Sequence, residues 1–361
     1  MLLFGSAHGV TSARISRVSA QPRLLLIGFL VALSSITALA QVAPVFSVAA
    51  KPIGNDDVKD FAGPAIVNFL GKNEIFYANH INDHLIFGIA PDAGTTGNAN
   101  DNPDTTPVDT GIVMSGLGEV KATVLGSTLY VSYIDQGGVA ALATSTNGTS
   151  FTTLIPEYSA TVNTAYVPTI FAFNGELWAA FVTNVGTDEA VFDVSSDGGA
   201  VFTQQNVVTT TDPPVSTISL ADFNGVLYAA YVIAPSTPAQ PVFGSVLQGQ
   251  ASSIPFALVS ENACCHNSTS ASNGEPLFTG VTLIGVPGEG LYLFTQSPAS
   301  EDTFFYSATS DPKTVPFPAA VQVGSQSFRW DLGAVLESDN TLAIAYQQSS
   351  ATQMDFTSMT F

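Results

Sequence analysis

The chain has 361 residues and a formal net charge of −20, from 9 Lys and Arg against 29 Asp and Glu. So acidic a surface repels phosphate backbones and anionic lipid headgroups, which argues against nucleic-acid and membrane partners. The plainer reading of the charge is that it keeps an extracellular protein soluble.

The first forty residues read as a targeting segment. Arg14, Arg17 and Arg23 make a positive region, Leu24 to Ala40 carries no charge, and Ala38-Leu39-Ala40 before Gln41 has the small-x-small form of a signal-peptidase site. A later translation start or an uncleaved anchor is the alternative. No cysteine stands at that point, which argues against a lipoprotein, and no later stretch is long and apolar enough to cross a bilayer. The expectation is a signal peptide over 1–40, a secreted or extracytoplasmic location, and one domain over 41–361. That domain keeps six basic residues against 29 acidic ones, a net charge of −23, and is long enough for a large all-β core.

Along the domain one phrase recurs: a tight turn, Leu or Ile, an aromatic, two small or apolar residues, another aromatic. Its copies are Ile75-Phe76-Tyr77-Ala78-Asn79, Leu129-Tyr130-Val131-Ser132-Tyr133, Asn174-Gly175-Glu176-Leu177-Trp178-Ala179-Ala180-Phe181, Asn224-Gly225-Val226-Leu227-Tyr228-Ala229-Ala230-Tyr231, Leu291-Tyr292-Leu293-Phe294-Thr295 and Leu342-Ala343-Ile344-Ala345-Tyr346. The steps between anchors are 54, 48, 50, 64 and 51 residues. A period near fifty built of strand and turn residues is the signature of a β-propeller with one four-stranded blade per repeat.

In the third copy Thr169 to Phe173 reads as the inner strand, Asn174-Gly175 as the hairpin turn, Leu177 to Phe181 as the second strand and Ala190 to Val194 as the third. Six anchors predict six blades; five or seven stay open because the 64-residue step has room for irregular structure. The last copy ends one strand short at Met354 to Phe361, and the alternating segment Val45 to Ala49 can supply the missing outer strand, closing the ring by pairing the two ends of the chain. Asp92 to Thr110, rich in Gly, Asn, Asp, Thr and Pro, reads as a long surface loop.

The octet Ser195-Ser196-Asp197-Gly198-Gly199-Ala200-Val201-Phe202 matches Ser-x-Asp-x-Gly-x-x-aromatic, and Ser145 to Phe151 is a shortened copy with Asn147 in the acidic position. Such a turn joins the third and fourth strands: the Asp or Asn bonds turn amides, Gly takes the positive-φ position, and the aromatic tucks into the blade. On these residues the chain resembles the sialidase-like, Asp-box (BNR) repeat β-propellers of secreted proteins, over residues 62–361. The resemblance implies the fold, and it implies a structural role for Ser195, Asp197, Gly199 and Phe202; about activity it says little.

In such a propeller the second-to-third strand loops and the blade-to-blade links share one face around the central channel. That face would gather Asp188 and Glu189, the Cys264-Cys265-His266 run, and Arg329-Trp330-Asp331, the candidate ligand-binding residues. It would also gather His80, Asp83 and His84, whose imidazoles and carboxylate could hold a divalent metal such as zinc, or equally be loop residues bonding backbone and water. Adjacent Cys264 and Cys265 are expected to form a strained vicinal disulfide, a flat plate for packing under a sugar ring; free thiols or intermolecular bridges are the alternatives. Asp101, Asn102, Asp104 and Asp109 could bind calcium, although they lack the EF-hand spacing and read as well as a solvated loop. Asn147-Gly148-Thr149 and Asn267-Ser268-Thr269 are glycosylation sequons if the host is eukaryotic.

Sialidases of this resemblance grip the substrate carboxylate with three arginines, and the domain has one, Arg329. Sialic-acid hydrolysis is therefore disfavoured. No nucleophile elbow, phosphate loop or dinucleotide fingerprint appears in a fitting context. What stands is a non-catalytic module that binds a glycan or an extracellular protein, or a divergent glycoside hydrolase using a carboxylate pair at the channel face.

Overall fold

The computed structural model describes residues 45–46, 51–53, 63–79, 81–90, 107–116, 118–184, 188–208, 214–233, 240–246, 257–258, 280–297, 303–312, 317, 321–337, 340–348 and 354–361. The sequence-predicted signal segment, His80, the Cys264-Cys265-His266 run and the Asp101–Asp104 stretch lie outside them. For Arg329, Trp330 and Asp331 only the backbone is described.

The chain forms an all-β propeller. After two short strands, β1 (Val45–Phe46) and β2 (Lys51–Ile53), the first blade is β3 (Ala65–Phe69), β4 (Lys72–Ala78), β5 (His84–Ala90) and β6 (Val108–Val113). The second is β7 (Lys121–Leu125), β8 (Thr128–Ile134), β9 (Ala140–Ser145) and β10 (Thr152–Leu154). The third is β11 (Thr169–Phe173), β12 (Glu176–Val182), β13 (Ala190–Ser195) and β14 (Thr203–Val208), and the fourth β15 (Ser219–Phe223), β16 (Val226–Ile233), β17 (Gln240–Ser245) and β18 (Ala257–Leu258). Each is an antiparallel meander in chain order.

The remaining strands, β19 (Val281–Val286), β20 (Gly290–Ser297), β21 (Thr303–Thr309), β22 (Val321–Leu336), β23 (Leu342–Gln348) and β24 (Met354–Thr360), hydrogen-bond into one eight-stranded sheet with β1 and β2. The 16-residue β22 is what joins them. Its first part pairs with β21 as the outer strand of the fifth blade, and its last part, Gly333–Leu336, pairs with β23 as the inner strand of the sixth. The register breaks between Arg329 and Gly333, where one role gives way to the other. Hydrogen bonding therefore counts five sheets, whereas the inner strands β3, β7, β11, β15, β19 and β22 form a closed ring of six neighbours.

The ring closes as the alternating N-terminal segment suggests. Val45 and Phe46 pair with Thr360 and Met359, and Lys51 to Ile53 pair with Phe356 to Met354, so chain from the beginning of the domain covers the edge left by its end. An open strand edge is a template for unwanted pairing, and this arrangement removes it.

The recurring phrase is the second strand of every blade. Its six anchors, Ile75, Leu129, Leu177, Leu227, Leu291 and Leu342, are all 0% exposed. A second strand lies in the middle of its own sheet with another blade against each face, so it has no solvent side and reads as a continuous apolar run. The apolar core accordingly divides by seam: one cluster joins Phe76 and Phe87 of the first blade to Leu129 and Val131 of the second. Equivalent clusters fill the five other seams round the ring, the last joining Ile75 and Tyr77 to Ala343 and Phe356.

Turn chemistry follows the residues. Asn174 and Gly175 have φ of 52° and 81°, and Asn224 and Gly225 have 54° and 73°, the paired positive values of a two-residue hairpin turn. In the first blade the same turn is Leu70-Gly71, with Leu70 at φ 51° and its side chain 65% exposed. That copy lacks the Asn that tolerates this conformation, which is why it is hard to recognise in sequence. The loop expected over Asp92–Thr110 gives way to strand sooner, at Val108: Ile86 pairs with Asp109 and His84 with Val113.

Blades also approach as closely as backbones can. A Cβ at Gly285 would overlap the carbonyl oxygen of Asp222 in the neighbouring blade, and one at Gly333 would sit 2.8 Å from the carbonyl oxygen of Pro64. Gly285→Ala is expected to destabilise the protein by at least ~1–3 kcal/mol, because the obstacle is backbone and cannot rotate away. Chemical denaturation of the purified domain measures it, and an unchanged midpoint would contradict this packing.

Candidate functional site

The six inner strands enclose a central channel of about 410 Å³. Its wall is mostly apolar, and its hydroxyls are spent on holding the ring together. Thr123 Oγ1 accepts from the Ala172 amide at 3.0 Å, Thr169 donates to the Ile218 carbonyl, Ser219 Oγ accepts from the Leu283 amide at 2.9 Å, and Thr282 donates to the Leu332 carbonyl at 3.2 Å. Each bond crosses from one blade to the next. The second blade is tied to the first by the Val120 amide on the Gly63 carbonyl at 3.0 Å, and the sixth to the first by Asn73 donating to Glu337. Inner strands need such bonds because their edges face the channel and have no further strand to pair with.

Where the blade-to-blade links deliver the chain into the channel, Glu119 and Lys121 form an ion pair at 3.0 Å, with side chains only 15% and 16% exposed. Thr217, which leads into the inner strand of the fourth blade, donates to Glu119 Oε2 at 2.6 Å. This truss spans from the second blade to the fourth. Sequence reasoning missed it. The available signal was Lys121, one of only six basic residues in the domain, placed at the head of an inner strand. Among the described residues of the channel wall, Lys121 is the one cation, Phe171 the one aromatic and Asp222 the one carboxylate. Asp222 accepts from the Gly225 amide at 3.0 Å, so it caps the hairpin turn at the opposite end.

Of the residues expected to converge, those described lie in several places. Asp188 accepts from Asn163 Nδ2 at 3.4 Å, beside the link into the third blade. Glu189 lines a lateral cleft between the third blade and the link that precedes it. Arg329, Trp330 and Asp331 occupy the segment of β22 that leads into the sixth inner strand, immediately before the channel-lining Leu332. His84 Nδ1 lies 2.8 Å from Asp109 Oδ2, across the β5–β6 pair. Burial would raise the Asp109 carboxyl, but the Gly111 amide and His84 together hold it below the usual range. Among the described residues no group of three His, Cys, Asp or Glu is placed to hold a metal.

The turn at Ser195–Phe202 makes the bonds its sequence suggests. Ser195 Oγ donates to Asp197 Oδ1 at 2.7 Å and accepts from the Gly199 amide at 2.8 Å; Asp197 Oδ1 also accepts from the Ala200 and Val201 amides, each at 3.1 Å. Gly198 and Gly199 have φ of 82° and 93°, and Phe202 is buried. In the shortened copy Asn147 Oδ1 receives the Thr149 and Ser150 amides at 2.9 Å, and Phe151 packs on Phe76 and Phe87 of the first blade.

No family model and no curated protein matches the sequence. Solved structures do match in shape. The lectin of Aleuria aurantia, a six-bladed β-propeller that recognises fucose, aligns with a TM-score of 0.56 at 12% identity over 82% of this chain and 91% of its own. An α-L-arabinanase of Penicillium chrysogenum, solved with arabinobiose, aligns at 0.54 and 12% identity over 89% of this chain and 98% of its own. A sialidase of Trypanosoma rangeli aligns at 0.51 and 11% identity over 88% of this chain and 59% of its own. At these identities the likeness is one of fold, and the fold is the β-propeller.

Buried carboxylates make the fold sensitive to pH, Glu74 and Asp193 most and Asp355 in the same direction. Burial raises Glu74, only partly offset by Lys72, to about 7, and raises Asp193 to about 6. Both would titrate near 4 in the unfolded chain. Between those values the native state holds more protons than the unfolded one, so stability falls as pH rises from about 4 to 7. The melting temperature is expected to be higher at pH 5 than at pH 8, and Glu74→Gln to shrink the difference; a melting temperature that rises with pH would contradict it.

Proposed function

We propose that the protein is a secreted propeller of the Asp-box type that binds glycans at the mouth of its central channel and does not cleave them. The engagement of the placed channel carboxylates within the protein supports the non-catalytic part of this reading. Glycosidase chemistry of the common kind needs two carboxylates facing each other across the scissile bond. Asp222 on the channel wall accepts from a turn amide. Glu119, near the opposite end, is neutralised by Lys121 and bonded by Thr217.

Binding is supported by what the mouth contains. An ion-paired Lys121 and Glu119 present fixed donors and acceptors for hydroxyls. The lectin, arabinanase and sialidase that share the fold all handle sugars, which makes a glycan the first ligand to try. The bonded turn at Ser195–Phe202 favours the Asp-box lineage over an unrelated propeller.

A glycan array run beside a panel of chromogenic glycosides tests the proposal. Retention of at least one glycan without turnover is expected, and Lys121→Met should weaken that retention about tenfold, ~1.4 kcal/mol. Turnover of any glycoside would replace this reading with the divergent hydrolase, and capture of an extracellular protein with no glycan bound would make the partner a polypeptide.

A further inference from the structure

The third blade and the link that precedes it enclose a cleft of about 440 Å³, apart from the channel. Its wall is aromatic. Tyr158, on a 3₁₀ turn over Glu157–Ala160, stacks on Phe181 at 4.9 Å, and Phe202 meets it edge-on at 4.9 Å. Asp193 of β13 lies deep in the cleft, 7% exposed, with Glu157 and Glu189 nearer solvent.

Two polar atoms here have no partner: Oδ1 of Asp193 and the phenol oxygen of Tyr158, both cut off from solvent. Native proteins rarely leave such groups unsatisfied, and the exceptions ask for an explanation. The local backbone adds one observation. The β13–β14 register shifts between Phe192 and Asp193, an irregularity of the kind that re-aims a side chain. Asp193 follows Val191 on the same strand face, and both line the cleft.

The chemistry of the lining selects the ligand. Among the described residues its charged groups are Glu157, Glu189 and Asp193, all carboxylates. Aromatic faces and carboxylates together favour a cation, while the Tyr158 hydroxyl and Gln204 amide can bond hydroxyl groups. We propose that this cleft is a second ligand site, separate from the channel, for a small molecule bearing a protonated amine beside hydroxyls: by chemical class, an amino sugar.

The other titratable groups lining the cleft are Glu157, Tyr158 and Glu189. Burial, and then the Asp193 carboxylate, drives the Tyr158 phenol far up, so it stays neutral, while Asp193 changes charge near pH 6. Binding of a cation should therefore strengthen from pH 5 to pH 7.

The test is titration calorimetry of the purified protein with glucosamine, glucose and N-acetylglucosamine at pH 7. Glucosamine is expected to bind at least tenfold more tightly than either neutral sugar and to weaken at pH 5. Asp193→Asn should weaken it at least tenfold and Tyr158→Phe severalfold, while Lys121→Met in the channel leaves it unchanged. Should Asp193→Asn not fold, Tyr158→Phe alone decides. Equal affinity for the three sugars, indifference to these substitutions, or no binding at all, meaning that a trapped water satisfies the two atoms, would overturn the proposal.

Discussion

Everything in this molecule depends on the fact that a single blade cannot bury its own faces. A four-stranded sheet with apolar residues on both sides needs a neighbour against each side, and only a closed ring gives every blade two. The second strands show the consequence most clearly. They carry the longest apolar runs, their anchors are completely inaccessible, and each of the six seams is filled by residues from two adjacent blades. Closure is therefore a condition of stability, and the pairing of β1 and β2 with β24 meets it.

Closure in turn constrains the centre. The inner strands converge until backbone meets backbone, which is why Gly285 and Gly333 have no room for a side chain. Their channel-facing edges have no strand to pair with, so hydroxyls and amides bridge from blade to blade instead. A channel wall built this way has little spare polar capacity. The Glu119–Lys121–Thr217 truss stands where the links enter the channel. In the cleft beside the third blade, burial of Asp193 raises its proton affinity.

The fold was legible in the sequence because each blade repeats one physical requirement. A strand buried on both faces must be apolar along its length, and a two-residue hairpin needs positive φ, so Leu177–Phe181 after Asn174-Gly175 announces both. Where turn chemistry decays, as at Leu70-Gly71, the repeat fades with it. The closing strand at Val45 was visible because the last repeat lacked its outer edge. The candidate site was much less legible. His84 and Asp83 are neighbours in sequence, yet the pleat of β5 and its pairing with β6 hand His84 to Asp109. Glu189 and Asp188 are consecutive, yet only Glu189 reaches the lateral cleft.

By itself the sequence determined the architecture: repeat length, strand identity, the turns that end strands, and the way the ring closes. These are set by local periodicity and by burial common to every blade. Only the tertiary structure decided which polar side chains meet. Glu119 and Thr217 are 98 residues apart, and Tyr158 and Asp193 belong to separate elements flanking one cleft. Such pairs are brought together by the closing of the ring and by how its links lie against the blades, a long-range arrangement that leaves no pattern along the chain.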